Sequence, residues 1–93
     1  MRDKLLNLIK AYKGDITFLP DLAFHLHKQL DIPYYLIRIQ HDTSLDILTI
    51  TLFNQVPSYV LICTLEGDYI YDSWANNFRN CILLNRFSFR FFR

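Results

Sequence analysis

Along residues 2–13, Leu5, Leu6, Leu8, Ile9 and Tyr12 recur at the spacing of one helix face, while Arg2, Asp3, Lys4, Asn7 and Lys10 fill the other. Asp3 in the first turn and Lys10 and Lys13 in the last suit the helix dipole, and Gly14 is the expected C-terminal cap. A second helix is predicted from Pro20, because the first helical position does not need the N–H that proline lacks. Leu22, Ala23, Leu26 and Leu30 form its inward stripe. Asp31-Ile32-Pro33 ends it, since the residue before a proline is steered away from the α region.

After Pro33 the period becomes two. Residues 34–40 alternate, with Tyr35, Ile37 and Ile39 on one face of an expected strand, and His41-Asp42-Thr43-Ser44 reads as a polar turn. Residues 47–53 form a second strand, with Leu48, Ile50 and Leu52 alternating against Thr49 and Thr51. A turn over residues 54–57 leads into the strongest signal of the chain, the stretch SYVLICTLEGDYIYDSW at residues 58–74. Its first half is an apolar run rich in β-branched and aromatic residues, the pattern of a strand buried on both faces. Glu66-Gly67-Asp68 is the turn, with Gly67 free to take a positive φ, and Tyr69-Ile70-Tyr71 returns as the partner strand. Residues 75–80 read as a polar loop. Residues 81–84 and 86–92 read as one bent strand or two short ones, with Phe87, Phe89 and Phe91 sharing a face.

This order predicts a single α+β domain over residues 1–93, with two N-terminal helices packed on one face of an antiparallel sheet of about five strands. Composition supports a packed fold: 52 % of residues are hydrophobic and 16 % aromatic, as a chain of only 93 residues needs in order to build a core. The net charge of +1 gives no electrostatic argument for a polyanionic partner. Cys63 and Cys81 each sit in an apolar run and read as buried free thiols; a disulfide between adjacent strands would need an oxidising compartment. No apolar stretch approaches the ~18–20 residues of a membrane span. The first apolar cluster is broken by Asn7, Lys10 and Lys13, without a secretory cleavage pattern. A cytoplasmic protein is the expectation.

Chemistry is sparse. His25 and His27, two residues apart on a helix, point away from each other and cannot grip one metal, and His41 has no second ligand near it in sequence. They read as two exposed helix histidines and one turn histidine. No metal or cofactor is expected. A helix-turn-helix over residues 21–38 would need a recognition helix from Tyr-Tyr-Leu-Ile-Arg-Ile-Gln, whose residues favour a strand. The C-terminal Asn85-Arg86-Phe87-Ser88-Phe89-Arg90-Phe91-Phe92-Arg93 interleaves cations with rings. With Phe87, Phe89 and Phe91 in a core, Phe92 falls on the side of Arg86 and Arg90. Arg86, Arg90, Phe92 and Arg93 are therefore candidate contacts on an edge strand, for a protein partner or a second copy. Single-stranded RNA, with bases stacking on the rings, is the alternative.

From Pro20-Asp21-Leu22-Ala23-Phe24-His25-Leu26 through Ile32-Pro33 and Ser58-Tyr59-Val60-Leu61 to Gly67-Asp68-Tyr69-Ile70-Tyr71-Asp72-Ser73-Trp74, residues 19–74 resemble the papain-like and transglutaminase-like cysteine-enzyme core. The resemblance implies a nucleophile at the start of the helix, a His opening one strand and an acid closing the next, with Asp72 at the acid position. This chain has no Cys near residues 18–22 and no His at residues 57–60, so the resemblance implies a relative without the catalytic pair. Asp72, Ser58 and His41 are the candidates for a vestigial or divergent site; taken alone, Asp72 also reads as a turn-former bonded to nearby backbone N–H groups. Size and composition are those of small inhibitors and immunity-type proteins of bacterial or phage systems. A non-catalytic protein-binding module is therefore the leading expectation. A papain-like toxin or hydrolase, and an RNA-binding domain using the C-terminal strand, are the alternatives.

Overall fold

The computed structural model describes residues 1–75. Within them, α1 (Arg2–Ala11) and α2 (Leu19–Leu30) are followed by a 3-10 turn (Tyr34–Leu36) and the strands β1 (Ile37–Asp42), β2 (Ile47–Leu52), β3 (Ser58–Thr64) and β4 (Tyr69–Ala75). The strands form one antiparallel meander in the order β1-β2-β3-β4. The α+β class and the N-terminal helices agree with the sequence reading, and four strands, rather than about five, are present among the described residues. The segments 81–84 and 86–92, with Cys81 and the candidate contacts Arg86, Arg90, Phe92 and Arg93, lie outside them.

Register shows how the core is built. Ile37 pairs with Leu52, which faces Tyr59; Ile39 pairs with Ile50, which faces Leu61; Leu48 faces Cys63. These side chains share one sheet face and pack with Leu5, Leu6 and Ile9 of α1 and Leu22 and Leu26 of α2 into one cluster. At ~25 cal/mol per Å², such burial is the main favourable term for a chain this small. On the other face Thr49, Thr51 and Val60 are also buried. The threonines, expected as the polar complement of β2, therefore sit out of water, where a β-branched side chain still packs well on a pleated surface.

Several local expectations are corrected. α1 stops at Ala11, and its C-cap, Tyr12, is already extended (φ −67°, ψ 128°), so Gly14 is not the cap. Gly14 instead gives room to the Tyr12 ring, whose Oη would lie 2.5 Å from a Cβ at that position. That ring reaches His25, with centroids 5.1 Å apart. α2 closes as predicted before Pro33, through Asp31 in the left-handed region (φ 56°), which a short polar side chain tolerates. Residues 34–36 are not strand. Pro33 starts a tight turn in which the Leu36 N–H donates to the Pro33 carbonyl at 2.9 Å. His41 and Asp42 are the last residues of β1 rather than a turn. The turn follows them, because one Asp42 carboxylate oxygen accepts from the N–H groups of Ser44 (2.9 Å) and Leu45 (3.1 Å).

The β3–β4 turn is where the sequence expected it. Gly67 has φ +85°, its N–H donates to the Thr64 carbonyl, and the Thr64 hydroxyl accepts from the Asp68 N–H. A Cβ there would lie 2.6 Å from Lys10 Cγ and 3.2 Å from the Leu6 carbonyl oxygen. Gly67 therefore serves twice: it makes the turn, and it lets the hairpin tip dock on the last turns of α1.

Candidate functional site

The concentration of interacting polar and aromatic side chains lies on β4. In a regular strand, residues three apart such as Tyr69 and Asp72 face opposite sides of the sheet. The β3–β4 register shifts here: Ile62 pairs with Tyr71, but its neighbour Cys63 pairs with Tyr69, which leaves Ile70 as the extra residue of a bulge. The bulge brings Tyr69 round to the helix-facing side that carries Asp72 and Trp74. Tyr59 is the cross-strand partner of Trp74, so its ring lies diagonally behind Asp72.

Both carboxylate oxygens of Asp72 receive a phenol. Tyr59 donates to Oδ2 at 2.8 Å and Tyr69 to Oδ1 at 2.9 Å. The Arg2 guanidinium, at the start of α1, places Nη1 3.8 Å from Oδ1 and its central carbon 4.7 Å above the Tyr69 ring. The Tyr59 and Trp74 rings meet at 4.8 Å, tilted by 52°. Partial burial works to raise the Asp72 pKa, but the two phenol donors and Arg2 together outweigh it and hold the carboxyl below its ordinary value. Burial, and then the hydrogen bond to Asp72, push the Tyr59 phenol upward. The cluster is thus a carboxylate flanked by two phenol donors. It is a poor proton acceptor and holds no activated nucleophile; the Cys63 thiol, buried and free, is pushed up to about 12 by desolvation and then by the Asp68 carboxylate. The arrangement can accept hydrogen bonds and attract positive charge.

The three residues offered together by the sequence are not brought together. Ser58 pairs with Ala75 and faces the opposite side of the sheet from Tyr59 and Asp72. His41 shares the Asp72 side but lies three strands away, about 14 Å at a ~4.8 Å strand spacing. It is occupied locally, with Nε2 3.0 Å from Asp46 Oδ1. Nor is Asp72 a turn-former: it lies within β4, and its partners among the described residues are two phenols and a guanidinium.

The helix histidines are half-buried rather than exposed, because each is drawn into a contact. His25 lies against Tyr12, and His27 places Nδ1 2.7 Å from the Ile32 carbonyl oxygen, with its ring between Phe24 and Tyr34. Among the described residues no group of three or more His, Cys, Asp or Glu could hold a metal ion, and no helix is long and apolar enough to cross a membrane.

Arg2, Tyr59, Tyr69 and Trp74 were not marked by the sequence pattern. Tyr59 and Trp74 fall inside the recognised hairpin, and pairing them across the turn was the available signal; Arg2 carried none. Comparison with known protein families, with curated proteins and with solved structures finds no match to this chain.

Proposed function

We propose that this chain is a small non-catalytic protein-binding module of the inhibitor or immunity type, acting in the cytoplasm of a bacterial or phage-infected cell and needing no cofactor. The observation that carries the reading is the surface of β4. Tyr69, Ile70, Tyr71 and Trp74 are each 45–48 % exposed, on a strand held in register by β3. Interface hot spots are enriched in tyrosine and tryptophan, which offer large contact area at low entropy cost when already fixed. The Asp72 cluster beside them has the charge state of a recognition group and lacks the nucleophile–base pair of a catalytic one. The edge contacts Arg86, Arg90, Phe92 and Arg93, to a protein or a second copy, belong to the same proposal.

A divergent papain-like hydrolase built on Asp72, Ser58 and His41 together is not supported by their separation. RNA binding rests on the C-terminal residues alone. The test is capture from the native lysate by tagged protein, run beside two variants, Ile70→Ser with Tyr71→Ser and Arg90→Ala with Phe92→Ala. One protein held in stoichiometric amount and lost in the first variant supports the β4 surface. Loss only in the second moves the interface to the C-terminal residues. Recovery of nucleic acid alone, released by salt, overturns the proposal.

A further inference from the structure

We infer that the surface formed by Asp72, Tyr69 and Trp74 is a receptor for an arginine side chain of the partner, and that Arg2 sits on it as a displaceable placeholder. The inference rests on the protein-binding reading and specifies what the partner must present.

Three features make the site suited to a cation. The Asp72 carboxylate is ionised and about one-fifth exposed, and each oxygen has spent only one of its lone pairs on a phenol. The rings of Tyr69 and Trp74 are half exposed on the same side of the sheet. A cation within ~6 Å of such a ring face gains from its quadrupole, and more so beside a carboxylate. The two phenol bonds also fix the carboxylate rotamer, so the acceptor is preorganised before any ligand arrives.

The third feature is that the chain already holds a guanidinium there, and holds it loosely. Arg2 lies over Tyr69, whose side chain and then the Asp72 charge raise its pKa, but its closest nitrogen to Asp72 is 3.8 Å away, beyond hydrogen-bond range, and 49 % of its side chain is in solvent. Its other acidic neighbour, Asp3, is equally loose at 3.9 Å. Exposed pairs of this kind are weak, so Arg2 can be exchanged for a guanidinium that reaches the carboxylate in a two-pronged geometry. Stacking on a ring while forking onto a carboxylate is a property of arginine; lysine offers a point charge without the planar stack.

The experiment titrates the full chain with N-acetyl-arginine amide, and separately with N-acetyl-lysine amide, following the Trp74 indole N–H by NMR. Arginine amide is expected to bind weakly to wild type and about 2- to 5-fold more tightly to Arg2→Ala, because self-occupancy lowers the fraction of open sites. Asp72→Asn should abolish the shift. Tyr69→Phe, which keeps the ring and loses the phenol, should weaken it without unfolding the chain. Equal affinity for the lysine probe, or no gain in Arg2→Ala, overturns the assignment, since an Arg2 that merely staples α1 to β4 would lose stability and open nothing. Two outcomes separate this inference from the reading beneath it. Capture of the partner lost with Ile70→Ser and Tyr71→Ser but unchanged in Asp72→Asn sinks the arginine receptor and leaves protein binding intact. Self-association that Asp72→Asn removes assigns the arginine to a second copy and overturns the separate partner.

Discussion

Replacing Tyr59 by phenylalanine removes one oxygen from a buried ring and tests the central electrostatic argument. The Tyr59 side chain is 1 % exposed, so its core packing survives the change, and what disappears is the 2.8 Å donor to Asp72. A hydrogen bond to a charged acceptor contributes ~1.5–3 kcal/mol. Because Asp72 is partly solvated, water can replace the phenol in part, and we expect the low end, about 1.5 kcal/mol at pH 7. For a domain of this length that corresponds to a fall of roughly 6–12 °C in Tm. The penalty carries a pH signature. Asp72 has a depressed pKa in the folded state, so its contribution is present above the unfolded carboxylate value and is lost as the pH falls through the lower folded one. The Tyr59 donor is part of what depresses it. The gap between wild type and Tyr59→Phe should therefore be full at neutral pH and shrink as the pH drops below about 4. Urea titrations at a series of pH values measure this directly, with equal m-values confirming that both chains unfold from similar states. A gap under ~0.5 kcal/mol at pH 7, or one that persists undiminished in acid, would refute the reasoning.

Other substitutions follow from the packing. Gly67→Ala should destabilise by about 1–3 kcal/mol, because it combines a positive φ with a Cβ pressed on Lys10 and the Leu6 backbone. Gly14→Ala should cost less than ~1 kcal/mol, as only the movable end of the Tyr12 ring opposes it, and the reverse order in denaturant midpoints would contradict both assignments. In a Cys81→Ser background, Cys63 should resist a thiol reagent at pH 8, where a thiol of pKa about 12 is ionised in roughly one molecule in ten thousand, and react once urea unfolds the chain; rapid native labelling would show the site to be open. Leu61→Ala, fully buried at the centre of the core, should cost about 2–5 kcal/mol and leave the chain largely unfolded near body temperature by circular dichroism.

The hairpin and α2 were legible because each is announced twice, by hydrophobic period and by its punctuation at Pro20, Pro33 or Gly67, whereas α1 was carried by its period alone and its end was misplaced at Gly14. Where only one of these signals was present, the reading slipped. Tyr34-Tyr35-Leu36 has strand-forming side chains, but the backbone leaving Pro33 turns before it extends. His41 and Asp42 look like turn residues by composition, and Asp42 does shape the turn, though from within β1. The candidate site was legible only at Asp72. Its partners depend on a register shift invisible to an alternating pattern and on a helix start 70 positions away in the chain. His25 and His27 were correctly separated by helical geometry, while their half-burial depends on rings contributed by Tyr12, Phe24 and Tyr34, which no local pattern reveals.

The extra residue at Ile70 makes strand register, as much as side-chain identity, the diagnostic of this site. Flattening the bulge with the sequence unchanged would pair Ile70 with Cys63 and carry the Tyr69 phenol to the far side of the sheet, whereas deleting Ile70 would leave that tyrosine two positions from the aspartate and still on its side. A related chain could thus match this one at Tyr59, Tyr69, Asp72 and Trp74 and still lack the cluster, if its β3–β4 ladder ran without the bulge. Whether a tyrosine stands two residues before the aspartate, or three with a bulge between them, is the point to compare first in a second sequence.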